Sequence, residues 1–109
     1  MCMKYIGDIL YDEDLIRGEN RFVIFGAGKY GRKILQYLEN NNVKKSIVCF
    51  CDSNIQLERQ NINGIPIIGV MDAITRYPEA EYLVAGKYSR EMYRLLKDKL
   101  VKKIHLLFI

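Results

Sequence analysis

The sequence predicts an α/β domain: an open parallel sheet of about five strands with helices on both faces. Three observations carry this. Short apolar runs at Phe22–Phe25, Ile47–Cys51 and Tyr82–Ala85 have the length and composition of buried strands. Between them lie segments whose apolar residues recur at helical spacing, and strands alternating with helices mean parallel strands joined by right-handed crossovers. The first run also passes directly into a glycine-rich turn, Gly26-Ala27-Gly28-Lys29-Tyr30-Gly31, followed by a helix-patterned segment.

Residues 1–20 are expected to be an N-terminal extension. Ile6, Ile9, Leu10, Leu15 and Ile16 form an imperfect helical stripe, interrupted by Asp12-Glu13-Asp14, and predict a short helix packed on the sheet or on a partner chain. Gly18-Glu19-Asn20 reads as a turn into the domain proper, residues 21–109. Strand one is Arg21–Phe25, and helix one runs from Lys29 to about Asn40, burying Ala27, Gly31, Ile34, Leu35 and Leu38. The asparagines 40–42 tolerate a left-handed cap and end it. Strand two is Ser46–Cys51, with Asp52-Ser53-Asn54 at its carboxyl end.

Ile55–Asn63 is polar and predicts a loop with a short turn. Gly64–Gly69 reads as a third strand, placed at a sheet edge because Pro66 cannot donate a ladder hydrogen bond. A short helix over Val70–Tyr77 precedes Pro78. Strand four, Glu81–Ala85, leads to Gly86-Lys87-Tyr88. Ser89 is the expected N-cap of a helix reaching about Leu100, with Met92, Leu95, Leu96 and Leu100 inward. Lys103–Ile109 is the last strand. The expected spatial order is 3-2-1-4-5, which puts a crevice above strands one and four, where the chain reverses direction across the sheet.

The glycine spacing is G-x-G-x-x-G, the arrangement of a Rossmann-like dinucleotide-binding unit. Each glycine has a physical task there. Gly26 lets the chain leave the strand, Gly28 keeps side chains out of the path of a pyrophosphate, and Gly31 lets the helix pack on the sheet. The helix start then aims free N–H groups and a partial positive charge at the ligand. Lys29 and Arg32 add cationic reach. Asp52 stands about 20 residues beyond Gly31, the offset of a ribose-binding carboxylate. The candidate binding residues are Gly26, Ala27, Gly28, Lys29, Tyr30, Gly31, Asp52, Ser53, Asn54, Lys87 and Tyr88. Lys87 would pair with a phosphate and Tyr88 would stack on a base; Tyr30 either leans over the ligand or covers the helix start. The cofactor expected is NAD or a nucleotide-sugar, with no metal.

Composition narrows the class. The 109 residues are 50% apolar and 28% charged, ordinary for one globular domain. No run approaches the length of a membrane span, and the first ten residues lack a signal-peptide pattern, so a cytoplasmic protein is expected. The net charge of +4 is scattered over helix ends and turns, and no basic segment interleaved with aromatics points to nucleic acid. Cys2, Cys49 and Cys51 are odd in number, and the latter two would point parallel on one strand face; all three are expected as reduced thiols. Tyr93 and Lys97 match a Tyr-x-x-x-Lys pair, but nothing else catalytic is placed near them. His105 falls at the wrong end of its strand for catalysis. No catalytic residue is assigned.

The stretches Phe22–Arg32, Val48–Asn54 and Asn63–Gly69 together resemble the small Rossmann domains of bacterial surface-polysaccharide proteins. Those include the N-terminal domains of sugar acetyltransferases with left-handed β-helix bodies, and domains attached to sugar-nucleotide dehydratases and epimerases. The resemblance covers about residues 21–109 and implies a pocket for a nucleotide-sugar, NAD(H) or a CoA-like ligand, with phosphates on the glycine turn and Asp52 on the ribose or base. It departs from the acetyltransferase pattern in carrying Lys29-Tyr30 where those domains have a histidine. The 109 residues also contain no hexapeptide repeats. The function expected is therefore a nucleotide-binding module of bacterial surface-glycan or sugar-nucleotide metabolism, without a complete catalytic site of its own. It would serve a partner catalytic domain or form a homo-oligomer. The alternatives are a fragment or subunit of an NAD-dependent sugar-nucleotide oxidoreductase or epimerase, or an oligomerisation scaffold with a degenerate pocket.

Overall fold

The computed structural model describes residues 3–6, 9–12, 21–40 and 46–107. Strands β3 (Phe22–Phe25), β4 (Ile47–Asp52), β6 (Ile65–Gly69), β7 (Glu81–Ala85) and β8 (Ile104–Leu107) form the parallel part of one sheet. A two-residue strand, β5 (Asn61–Ile62), pairs antiparallel with β6. The spatial order is β5-β6-β4-β3-β7-β8. Its five parallel strands stand in the predicted order 3-2-1-4-5, and the sixth adds an edge.

That edge corrects the placement of Pro66. The segment expected as plain loop contains a 3₁₀ turn at Ile55–Leu57 and then β5, so β6 lies one strand in. Pro66 faces Asn61 of β5, while pairing of β6 with β4 runs from Ile67 to Gly69, beyond the proline. The missing donor is thus not required by the parallel ladder. The β5–β6 link is Asn63-Gly64, both with positive φ (52° and 85°), the backbone of a tight hairpin turn.

Among the described residues three α-helices cover the sheet: α1 (Lys29–Asn40), α2 (Val70–Arg76) and α3 (Ser89–Asp98). Alternation along the strands sorts the core into two layers. Phe22, Ile24, Phe50 and Leu83 meet Ile34, Leu35 and Leu38 of α1. Val23, Phe25, Cys49, Cys51, Tyr82 and Val84 meet Ala73 of α2 and Leu96 of α3. All four residues of β3 are buried, as a central strand covered on both faces must be. Burial removes water from the thiols, pushing Cys49 up to about 12 and Cys51 well above its ordinary value. Both are free and remain protonated near neutrality.

The N-terminal helix expectation is not met where the structure describes that segment. Met3–Ile6 (β1) and Ile9–Asp12 (β2) form a separate antiparallel pair in which Ile6 faces Ile9, with β1 against α1 and β2 against β8. The Gly7-Asp8 dipeptide between them has the composition of a two-residue hairpin loop, and tight pairing there outweighed the incomplete helical stripe. Leu15 and Ile16 lie outside the described residues. Two ends also differ from expectation. Ser89 is the first residue of α3, not its cap; Tyr88 occupies the cap position without a side-chain cap bond. Leu100 is not inward: it is 84% exposed, with φ +65°. It closes α3 by donating its N–H to the Lys97 carbonyl, while Val101 N–H reaches Leu96, the two bonds of a Schellman motif.

Candidate functional site

The carboxyl ends of β3 and β7 lie side by side, with Phe25 level with Val84. Each strand leaves the sheet through a glycine with positive φ, Gly26 at +99° and Gly86 at +103°. The two turns enclose a cleft of about 410 Å3 lined by Phe25, Gly26, Gly28, Lys29, Tyr30, Gly31, Asp52, Ala85, Gly86, Lys87, Tyr88 and Met92. This is the topological switch point of the sheet, where open α/β folds take ligands.

The glycines of the first turn do different work. A Cβ on Gly31 would collide with the carbonyl oxygen of Gly26, so the fold itself requires glycine there. A Cβ on Gly28 would meet nothing within 4 Å, and its φ lies outside the left-handed region. Neither packing nor backbone conformation explains glycine at 28. The Gly28 carbonyl accepts the Arg32 N–H at 3.0 Å, which begins α1. The N–H groups of Gly28 to Gly31 lie in the first turn, where a helix offers them no partner of its own, and these four residues line the cleft.

Asp52 holds this turn from the neighbouring strand. Its Oδ2 accepts the Ala27 N–H and its Oδ1 accepts the Asn54 N–H, each at 2.8 Å. Gly26 N–H donates to the Cys51 carbonyl at 2.7 Å. Arg32 is exposed, donates from Nε to the Ala27 carbonyl at 3.4 Å, and does not line the cleft. Tyr30 bridges the two turns: a Cβ on Gly86 would lie 2.8 Å from its ring. The half-buried ring also packs on the α1 core layer. Lys29 Nζ stands 5.8 Å from the Tyr30 ring centroid, and Lys87 Nζ 5.5 Å from that of Tyr88, which is 59% exposed.

Of the eleven residues expected at the site, Gly26, Gly28, Lys29, Tyr30, Gly31, Asp52, Lys87 and Tyr88 line the one cleft. Ser53 borders a smaller cleft of about 290 Å3 that shares Phe25, Asp52, Tyr88 and Met92 with the first. Ala27 is buried, with its N–H committed to Asp52. Asn54 is exposed and lines neither cleft; its side chain accepts the Gln56 N–H at 3.0 Å. Met92, read from sequence as a core position, also forms part of the wall, as its place one turn beyond Tyr88 on α3 allows.

Tyr93 and Lys97 make a ring–ammonium contact at 5.9 Å, and neither lines the glycine cleft. His105 pairs with Glu81 at 2.9 Å, at the opposite end of the sheet. Among the described residues there is no group of three His, Cys, Asp or Glu side chains able to hold a metal ion, and no helix long and apolar enough to cross a membrane.

The family description of the PglD N-terminal domain matches residues 21–95. The chain belongs to that family. PglD N-terminal domains are Rossmann-like domains of bacterial glycan-biosynthesis acetyltransferases, and the matched stretch runs from β3 through most of α3, including both turns of the cleft. Among solved structures, UDP-D-quinovosamine 4-dehydrogenase from Vibrio fischeri superposes with a TM-score of 0.56 at 18% identity, over 84% of this chain and 79% of that one. That likeness supports the Rossmann-like fold. A search of curated proteins gives no match. The family setting of the domain is accordingly bacterial glycan biosynthesis.

Proposed function

We propose that this chain is a nucleotide-binding module that holds a nucleotide-sugar in the cleft between the β3–α1 and β7–α3 turns. The observation that carries the reading is the contrast between the two glycines of the first turn. Gly31 answers a demand of the fold, whereas Gly28 leaves open a space that no protein atom fills. A backbone bare of side chain beside the start of a helix suits a diphosphate. Lys29 and Lys87 would neutralise it from either side, and the exposed Tyr88 ring, with Met92, offers a surface for the base. Gly26, Tyr30 and Gly31 would shape the cleft, and Ser53 would border the far part of the ligand. Ala27 and Asn54 act through their bonds to Asp52. No catalytic residue is assigned; the chemistry belongs to a partner catalytic domain.

A second reading, NAD(H), draws on the G-x-G-x-x-G spacing with an acidic residue at the end of β4, and on the dehydrogenase activity named for the Vibrio fischeri structure. A thermal-shift panel separates the two, using NAD(H), NADP(H), uridine- and deoxythymidine-diphosphate sugars, and acetyl-CoA. A ligand at ~100 times its Kd adds about 2.7 kcal/mol of stability. A shift with the diphosphate sugars alone is the expected result. A shift with NAD(H) alone selects the second reading, and silence across the panel at millimolar concentration removes both.

A further inference from the structure

We propose that two copies of this chain pair by exchanging an exposed leucine, Leu100 of each copy seating in an acid-rimmed cleft between α2 and α3 of the other. The pairing is independent of the nucleotide reading.

Leu100 is the first half of the argument. It is 84% exposed and has φ +65°. A leucine is strained in that backbone region, and glycine is the usual residue just past a helix end. The bond that closes α3 there comes from the Leu100 N–H to the Lys97 carbonyl, and glycine would supply it equally. The side chain therefore strains the backbone and exposes apolar surface, and the fold makes no use of it. Its surroundings are basic. Lys97, Lys99, Lys102 and Lys103 stand against Asp98 alone, and all four lysines are exposed.

The second half is a cleft of opposite character. Among the described residues the other large exposed apolar side chains are Met71, Tyr88 and Leu95. Tyr88 belongs to the glycine cleft. Met71 and Leu95 line a different cleft of about 410 Å3, with Gly69 and Val70, which shares only Asp52 with the glycine cleft. Its charged lining residues are Asp52, Glu58 and Asp72, and no lysine or arginine is among them. On a chain of net charge +4 that is a local reversal of sign. Glu58 lies over Gly69, its Oε1 2.8 Å from the position a Cβ there would take. Asp72 lies in the first turn of α2, where a carboxylate is favoured.

The two surfaces match in kind. One is an apolar tip in a basic collar, the other an apolar wall with an acidic rim, and opposite charge across a contact fixes its register. Leu100 does not fill the cleft of its own molecule, because it is exposed. Both surfaces adjoin α3: Leu95 forms part of the wall, and Leu100 follows the last turn. Two copies related by a two-fold axis can then make the contact twice and close on themselves.

Sedimentation equilibrium of the whole chain, without nucleotide, tests this. The mass should rise from 12.8 kDa at ~3 µM towards twice that at ~300 µM, since small interfaces hold weakly. Leu100→Gly should remain at 12.8 kDa throughout and stay folded. Two charge-reversed proteins sharpen the test. Glu58→Lys with Asp72→Lys makes the cleft basic, and Lys99→Glu with Lys102→Glu makes the collar acidic. Each alone should be monomeric. An equal mixture should regain the dimer, because both contacts then join opposite charges. A wild-type mass of 12.8 kDa at every concentration overturns the proposal, as does Leu100→Gly that associates like the wild type. A mass that climbs past twice the monomer overturns the closed two-fold pairing. A mixture that stays monomeric, with both proteins folded by circular dichroism, overturns the assigned surfaces. If a charge-reversed protein fails to fold, Leu100→Gly still decides.

Discussion

Two carboxylates stand at opposite ends of the same sheet and are treated differently. Asp52, where the strands end, has a backbone N–H on each oxygen and lines an open cleft. Glu81, where β7 begins, is 9% exposed; His105 takes one of its oxygens at 2.9 Å, and the other is buried without a partner. The difference teaches where each end spends its polar groups. At the carboxyl end, turns leaving parallel strands expose successive N–H groups, and a carboxylate can organise them for an outside ligand. At the amino end the buried Glu81 side chain rests on one histidine that keeps a third of its side chain in water.

The largest effects should come from the glycine turn. Gly31→Ala should destabilise the fold by about 3 kcal/mol, because the backbone of Gly26 blocks the new methyl. Gly28→Val should leave the urea midpoint almost unmoved and abolish nucleotide binding. Unchanged affinity in Gly28→Val would detach the cleft from the function proposed for it.

Next is the other end of the sheet. His105→Ala strands the Glu81 carboxylate and should cost about 2 kcal/mol in chemical denaturation, discounted because His105 is partly solvated. Replacing both residues by leucine should recover most of that loss. Nucleotide affinity should follow neither change; if it does, the two ends are coupled and the comparison breaks.

The thiols of β4 give a pH effect. Unfolded, Cys49 and Cys51 ionise near 9; folded, Cys49 keeps its proton to about 12 and Cys51 stays protonated well above the ordinary value. Above pH 9 the unfolded chain binds fewer protons than the native one, so stability falls as pH rises towards 12. It is insensitive to these groups below 9. The slope approaches about 1.4 kcal/mol per pH unit for each thiol, and urea titrations of Cys49→Val should show a shallower fall. The smallest effect is a gain: Leu100→Gly relieves the left-handed backbone at an exposed position and should add about 0.5–1 kcal/mol in thermal melts.

Much of this was legible because it depends on local pattern. The run Phe22–Phe25 is apolar at every position, which only a doubly covered strand explains, and its passage into Gly26–Gly31 marks the ligand end of the sheet. The hairpins were equally written, in Gly7-Asp8 and Asn63-Gly64, but each competed with another signal: a partial helical stripe in one case, polar loop composition in the other. Asp52 was legible as a charge near the turn and illegible in orientation, because that depends on the Ala27 N–H brought beside it from a neighbouring strand 25 residues away.

The amino-acid sequence by itself determined the order of the five parallel strands and the helices between them, the switch point and the glycine turn, since periodicity, strand length and turn chemistry are properties of neighbours along the chain. Tertiary structure alone decided what the charged side chains do. The one-residue overhang of β4 beyond β3 brings Asp52 to Ala27, and the pairing of β7 with β8 brings His105 to Glu81. A hydrogen bond is fixed to tenths of an ångström, and only the packed sheet sets distances that finely.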